Sequence, residues 1–193
     1  MHETKALTIP RLLVERVVRG RAAVNVMLVI GASALIAIAA QIAIPVPFSP
    51  VPLTLQPLAV LLVGAALGST RGAAAAALYL FEGFSGLPVF AQGHGGPLWM
   101  FAATAGYLWS YPAAAWLAGF FSERNFPSLL TMTAGMTVIY LGGWSWLATL
   151  TSPAAAYTMG VAPFLLGDAI KVAIGAVILP SARRFIQLSQ PNP

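Results

Sequence analysis

Apolar residues run through this chain in long stretches that contain almost no charge. Between Arg21 and Arg71 not one residue is charged, and about 20 helical residues cross a ~30 Å hydrocarbon core. That stretch is long enough for two crossings, which the prolines of IPVPFSPVP separate because proline cannot continue a helix. We expect that segment to form an extended loop around Phe48. The whole pattern predicts six transmembrane helices, at about 24–44, 53–70, 72–82, 98–120, 128–148 and 161–186.

Composition supports the membrane interpretation and excludes a soluble fold. The chain is 59% hydrophobic and 8% charged, whereas soluble domains carry about 25% charged residues. The excess of basic residues gives a net charge of +5, but their positions predict membrane topology and not nucleic-acid binding. We therefore predict an all-α integral membrane protein surrounded by lipid.

The basic residues cluster on alternate loops. They precede helix 1, follow helices 2 and 4, and close helix 6, whereas the loops after helices 1, 3 and 5 carry no charged residue. Because short cytoplasmic loops collect Lys and Arg, both termini are predicted to be cytoplasmic in a multi-pass protein of the cytoplasmic membrane. The residues that define this pattern are Lys5, Arg11, Arg16, Arg19, Arg21, Arg71, Arg124, Arg183 and Arg184.

The predicted domain organisation has three parts. Residues 1–23 form a cytoplasmic or interfacial segment, which is either a short amphipathic helix beginning near Thr8 and Pro10 or a solvated basic tail. Residues 24–186 form the six-helix domain, and residues 187–193 a cytoplasmic tail. Small-residue runs at 73–77 and 113–115 allow close helix approach, within the bundle or against another membrane protein.

One basic residue departs from the loop pattern. Lys171 lies inside helix 6 with Asp168 three residues before it, a spacing that places both side chains on one helical face. Ionisable groups at membrane depth cost several kcal/mol and mark a ligand or ion site. The pair therefore predicts a binding site, the alternative being a mutually neutralising pair that only locks helix packing.

Other polar residues fall in the outer half of the predicted bundle. Gln56, Tyr79, Tyr107 and Tyr140 could face an outer cavity, although ordinary packing is the alternative for each tyrosine. Glu82 is predicted to face either the site or the outer water. The three uncharged outer segments, rich in proline, glycine and aromatic residues, are expected to cap the bundle as a lid.

Enzymatic chemistry has little support in this sequence. The chain has no cysteine, and His94 has no second histidine near it to complete a metal site. The GxSG at residues 83–86 matches intramembrane serine proteases, but no predicted transmembrane helix supplies a histidine as the base. A nucleotide-binding G-x-x-x-x-G-K-[ST] loop is also missing from the sequence. We expect no enzyme activity, metal or cofactor.

Four segments carry a family resemblance. VPFSPVPLTLQPLAVLLVGAALG, LYLFEGFSGLPVFAQGHGG, FAATAGYL and PFLLGDAIKVAIGA, taken in this order, resemble the BioY family of biotin transporters. These are the substrate-binding S components of energy-coupling factor transporters. The likeness spans roughly residues 24–180, and its motifs are specific in combination.

The resemblance implies a six-helix S component that binds biotin near the outer surface, under the loop after helix 1. It also implies a transmembrane coupling protein and ATPase subunits as partners, and it is compatible with a homo-oligomer. The family's ligand contacts carry over to Asp168 and Lys171, and Gln56 and Tyr107 fall in family-like stretches. The apolar parts of biotin would require apolar wall residues such as Phe48 and Phe90.

Two other functions remain open at this point. One is a stand-alone carrier of biotin or another small vitamin, facilitative or coupled to protons through Asp168, Glu82 and Lys171. The other is a structural membrane protein without a ligand, in which the charged pair is a packing clip. Uptake by the chain alone and saturable vitamin binding separate these alternatives.

Overall fold

The computed structural model describes residues 8–189, with side chains for residues 22–184 and 186. Six helices of at least 12 residues occur in this part of the chain, which confirms the predicted all-α class. They are α1 (Thr8–Gln41), α2 (Gln56–Leu67), α3 (Ser69–Phe84), α4 (Ala105–Glu123), α5 (Ser128–Leu150) and α7 (Leu165–Ser189), with the short α6 (Pro153–Gly160) between the last two.

The first helix is longer than the sequence predicts. The backbone from Thr8 onwards is helical and continuous with the apolar stretch, whereas the sequence predicts a first transmembrane helix from about residue 24. The side chains of residues 8–21 and all of residues 1–7 and 190–193 lie outside the described residues. The amphipathic character of the N-terminal segment and the cytoplasmic tail therefore stay predictions.

The proline-rich segment after α1 forms a small hairpin instead of an extended loop. Strands β1 (Ala43–Ile44) and β2 (Leu53–Thr54) pair antiparallel, and a turn closes between Val46 and Ser49 with an N–O distance of 3.0 Å. Because of this pairing, α1 ends at Gln41, three residues before the predicted end of helix 1 at about residue 44. The pairing also satisfies backbone groups that would otherwise be exposed at membrane depth.

A glycine separates α2 from α3. The predicted turn at Arg71 is wrong, because Arg71 lies inside α3 and the chain turns at Gly68, whose φ is +90°. Only glycine adopts that conformation readily. At 1.5 Å per residue, the 12 residues of α2 extend about 18 Å, which is shorter than a ~30 Å hydrocarbon core.

Small residues bring α2, α3 and α4 into close contact. A Cβ added to Gly64 would collide with the backbone of Ala115, and one added to Gly72 would collide with Gly64. Ala75, Ala76, Ala114 and Ala115 are fully buried. These members of the predicted small-residue runs therefore pack within the bundle.

Two irregular segments replace predicted regular structure. A 3-10 turn at Pro97–Met100 precedes α4, which begins seven residues after the predicted start of helix 4. Another at Ala162–Phe164 precedes α7, and the preceding loop contains α6. Together with the β1–β2 hairpin, they interrupt the α-helices around one end of the bundle.

The outer surface of the bundle is apolar. Met27, Leu166 and Val177 are each more than 70% exposed, which in water would create a large apolar patch. By length and composition, two described stretches could cross a membrane, Ala22–Gln41 and Pro153–Arg184. The surface therefore fits a lipid environment.

Candidate functional site

The charged pair of α7 is buried and intact. The Lys171 Nζ lies 2.6 Å from Oδ1 of Asp168, and the two residues are 6% and 7% exposed. Their i,i+3 spacing produces this contact within one turn of the helix. Burial of both charges is tolerable because each neutralises the other.

A third side chain completes the coordination of the carboxylate. The Tyr140 hydroxyl, on α5, donates to Asp168 Oδ2 at 2.5 Å, so both carboxylate oxygens have a donor. In the described part of the chain, Asp168 is the only hydrogen-bond partner of Lys171. Since an ammonium group has three N–H donors, Lys171 keeps donor capacity for an acceptor in the cavity beside it.

The pair opens into a cavity of about 250 Å³. Its walls come from the β1–β2 hairpin, the segment between α3 and α4, and the cavity-facing ends of α2, α4, α5 and α7. The lining residues that carry polar side chains are Ser49, Thr54, Gln56, Gln92, His94, Trp99, Thr104, Tyr107, Tyr111, Tyr140, Asp168 and Lys171. The volume is slightly below the range of about 300–1,000 Å³ that is usual for small-molecule sites, so the cavity suits a small ligand.

One wall carries two tyrosines one turn apart on α4. Tyr107 donates its hydroxyl to the Gly160 carbonyl at 2.6 Å, which ties α4 to the end of α6. Tyr111 lies on the same face and is 3% exposed. Both rings line the cavity, so this wall is aromatic with polar edges.

The wall formed by α2 is built in two layers. Gln56 lines the cavity and donates from Nε2 to the Tyr79 hydroxyl at 2.7 Å. Tyr79 in turn donates to the Val89 carbonyl at 3.1 Å. Tyr79 is fully buried and does not line the cavity, so it supports Gln56 and the segment that contains Val89.

Aromatic side chains close the cavity at the α3–α4 segment. Phe90 is 2% exposed, and its ring packs against Phe84 at a centroid distance of 5.3 Å. The rings of His94 and Trp99 are 4.6 Å apart. The His94 Nδ1 lies 2.8 Å from the Ala91 carbonyl, so this ring is held by its own segment.

The structure brings together most of the residues predicted from the sequence. Six of them line the cavity, namely Asp168, Lys171, Gln56, Tyr107, Tyr140 and Phe90. The placement of Phe48 in the wall is wrong: this residue is 67% exposed at the hairpin and outside the cavity, because the turn at 46–49 directs it outwards. Glu82 also lies outside, where its carboxylate accepts from Ser33 Oγ at 2.6 Å.

Several lining residues were not predicted. Tyr111 could have been found, since it follows Tyr107 by four residues and shares its helical face. Thr54, Gln92 and Thr104 lie in the hairpin and irregular segments, where no periodicity assigns a direction to a side chain. Their place in the wall follows from the tertiary structure alone.

Chemically, the cavity is neutral overall with strong local polarity. The charges of Asp168 and Lys171 cancel, and no other lining residue among those that the structure describes is an aspartate, glutamate, lysine or arginine. The carboxylate, ammonium and tyrosine hydroxyls offer both donors and acceptors next to apolar walls. The site therefore suits a ligand with polar groups joined by an apolar body.

The sequence matches a known family over almost its whole described length. The match is to the BioY family and covers residues 11–188. It therefore includes all the residues around the cavity.

Similar proteins and a solved structure agree with this match. The probable biotin transporter BioY of Pyrococcus horikoshii is 39% identical over 145 residues, which cover 75% of this chain and 87% of that protein. The biotin transporter BioY of Thermotoga maritima is 35% identical over 76% of this chain and 88% of its own length. A crystal structure of the S-component for biotin from an ECF-type ABC transporter has a TM-score of 0.74 and 25% identity, covering 90% of this chain and 95% of that one.

Proposed function

This chain belongs to the BioY family, and from that premise we propose that it takes up biotin as the S component of an energy-coupling factor transporter. It is a membrane protein whose ligand cavity lies at one end of the bundle. The buried Asp168–Lys171 pair beside this cavity is the observation that carries the proposal.

Biotin matches the chemistry of the cavity. Its ureido group offers N–H donors to a carboxylate and a carbonyl acceptor to an ammonium, and its valerate carboxylate also suits a cation. Lys171 keeps free donor capacity, and Asp168 accepts in two directions. The apolar thioether ring and chain fit the aromatic walls formed by Phe90, Tyr107 and Tyr111.

The proposed site therefore contains Asp168, Lys171, Gln56, Tyr107, Tyr140 and Phe90. Tyr79 supports it from behind through its bond with Gln56. Tyr111 joins the set because it lines the cavity. Each of these roles is testable by ligand affinity in purified protein.

We propose that the cavity faces the outside of the cytoplasmic membrane and that both termini are cytoplasmic in a multi-pass protein. Arg71, Arg124 and Arg183 support this orientation. They lie towards the end of the bundle away from the cavity, where Arg183 hydrogen-bonds Ser122 and lies 3.5 Å from the Ala65 carbonyl. Basic residues at that end agree with the positive-inside rule.

The proposed partners are a transmembrane coupling protein and ATPase subunits. The similar solved structure is an S-component from an ECF-type ABC transporter, and the present sequence has no phosphate-binding loop. Biotin uptake by cells that express the chain alone, compared with cells that also express coupling subunits, tests the need for partners.

Calorimetric titration of the purified protein with biotin and two unrelated vitamins tests the function. We expect saturable binding of biotin and no binding of the two unrelated vitamins. Asp168→Asn and Lys171→Met should each weaken binding by roughly tenfold to a hundredfold, because a hydrogen bond to a charged group contributes about 1.5–3 kcal/mol. Unchanged affinity in both folded variants would remove the pair from the site, and no binding of biotin by the native protein would refute the function.

A further inference from the structure

Gln41 is the exposed last residue of α1, and its side chain contacts a distant segment in addition to the Ala37 carbonyl of its own helix, which lies 3.2 Å from Nε2. Its Nε2 donates to the Phe90 carbonyl at 3.0 Å and to the Val89 carbonyl at 3.3 Å. Its Oε1 accepts from the Gly93 backbone N–H at 3.0 Å. The carboxamide thus binds one segment, residues 89–93, with its donor and its acceptor at the same time.

The segment 89–93 supplies part of the cavity wall. Phe90, Ala91 and Gln92 line the cavity, and Gln92 has a φ of +61°, a conformation that non-glycine residues adopt only when their surroundings hold them. Two backbone hydrogen bonds fold the segment on itself and on the next residue, Gly93 N to Phe90 O at 3.1 Å and Phe90 N to His94 O at 2.9 Å. Towards the helices, the Tyr79 hydroxyl of α3 holds the Val89 carbonyl at 3.1 Å, and Gln41 provides the hydrogen bonds to α1.

Gln41 also adjoins the other irregular wall of the cavity. The next residue, Ile42, accepts through its carbonyl from the Leu55 N–H at 3.2 Å, which closes the base of the β1–β2 hairpin. The hairpin contributes Val46, Ser49 and Thr54 to the cavity. The end of α1 therefore contacts both segments, segment 89–93 through the Gln41 side chain and the hairpin through the Ile42 backbone.

We propose that Gln41 is a positioning residue that clasps segment 89–93 to the end of α1 and so limits opening of the cavity between that segment and the hairpin. A carboxamide suits this position because it provides donors and an acceptor without a charge near lipid. Where ligand exchange is concerned, the inference rests on the proposed biotin function. Loss of the clasp should speed both association and dissociation of the ligand.

The clasp can be tested without any ligand, because the chain has no cysteine. Ala91→Cys places a single thiol in the clasped segment, half-buried at the cavity wall. We expect its rate of maleimide labelling to rise roughly tenfold when Gln41→Leu is added, since two or more hydrogen bonds of ordinary strength are lost. Thr137→Val is the matched control, because this exposed hydroxyl donates only within its own helix to the Thr133 carbonyl.

A second variant separates the hydrogen bonds from general disturbance of the fold. Gln41→Glu keeps the size and the acceptor but, when ionised, cannot donate to Val89 or Phe90. Labelling should therefore be fast at about pH 7.5 and approach the rate with native Gln41, measured at the same pH, as the pH falls below the ordinary glutamate pKa of about 4.3 and protonation restores a donor. The ratio of the labelling rate with Gln41→Leu to the rate with native Gln41 should not change with pH.

Equal labelling rates with Gln41, Gln41→Leu and Gln41→Glu at every pH would overturn the clasp. A raised rate for Gln41→Glu that does not fall towards the native rate on acidification would also overturn it. Stopped-flow measurement with biotin is the second arm, in which Gln41→Leu should raise the dissociation rate roughly tenfold. If the native protein does not bind biotin at all, the labelling result still decides the clasp, and only the proposed function fails.

Discussion

At Asp168, two donors hold the carboxylate before any ligand binds. Lys171 contacts Oδ1 at 2.6 Å and Tyr140 contacts Oδ2 at 2.5 Å. This arrangement fixes the direction of the carboxylate at a buried position, where an unpaired charge would be costly. The carboxylate is therefore already ordered, and the ligand does not have to supply the free energy of ordering it on binding.

Removal of the tyrosine hydroxyl tests this preorganisation. Tyr140→Phe should weaken biotin binding by roughly tenfold, because a charge-assisted hydrogen bond that orients Asp168 is lost. Calorimetric titration measures the effect. Tyr157→Phe, at a half-exposed tyrosine of α6 outside the cavity, should leave the affinity unchanged, and an unchanged affinity in Tyr140→Phe would mean that Asp168 is held without this contact.

Two phenylalanines of similar predicted role differ in their placement. Phe90 is 2% exposed and lines the cavity, whereas Phe48 is 67% exposed and lies outside it. Phe90→Leu should lower biotin affinity at least about fivefold through the lost aromatic wall contact. Phe48→Leu should not alter the affinity, and an equal loss in both variants would contradict the cavity boundary described above.

At the scale of elements, irregular backbone around the cavity follows from the shortness of α2. Because α2 has only 12 residues, the β1–β2 hairpin fills the remaining depth of the bundle. Non-helical backbone is stable at membrane depth only where it is buried in protein or faces a cavity. The interface of α2, α3 and α4 then fixes the scaffold for the site. Glycines let these three helices approach so closely.

A pair of glycine variants tests that interface. Gly64→Ala should destabilise the protein by about 1–3 kcal/mol, because the new methyl group would overlap the Ala115 backbone. Gly31→Ala on α1 meets nothing within 4 Å and should be neutral or slightly stabilising. Thermal unfolding in detergent measures both, and a neutral Gly64→Ala would show that α2 and α4 can separate at little cost.

At the scale of the whole molecule, the cavity and a second group of charged residues lie towards opposite ends of the bundle. The charged pair and its cavity are at one end, and Arg71, Glu123 and Arg183 are at the other, where the Glu123 Oε1 accepts from the Ser69 N–H at 2.7 Å. This separation is what a protein needs if it collects a ligand from outside and meets partners inside. It supports the proposed orientation.

Thiol labelling in intact cells tests the orientation. Phe48→Cys, near the cavity, should react with a membrane-impermeant maleimide, whereas Phe126→Cys, in the turn between α4 and α5, should react only after permeabilisation. Both native side chains are exposed, and the cysteine-free parent provides the background. The reverse pattern would invert the topology.

The sequence by itself determined those features that depend on short-range spacing and on composition. Asp168 and Lys171 meet because residues three apart share a helical face, and the number of long helices follows from apolar stretches and the prolines that interrupt them. The family resemblance identified biotin as the expected ligand. The motifs that define this resemblance lie within the same apolar stretches. None of these inferences required knowledge of how the helices pack.

Only the tertiary structure decided which distant residues complete the site. Tyr140 reaches Asp168 across 28 positions, and Gln41 reaches Phe90 across 49, distances along the chain that no helical period encodes. The same reason explains why Phe48 lies outside the cavity and why the chain turns at Gly68 before Arg71. A hairpin turn and a glycine conformation set these directions through contacts with other elements, so the local pattern of apolar and polar residues could not predict them.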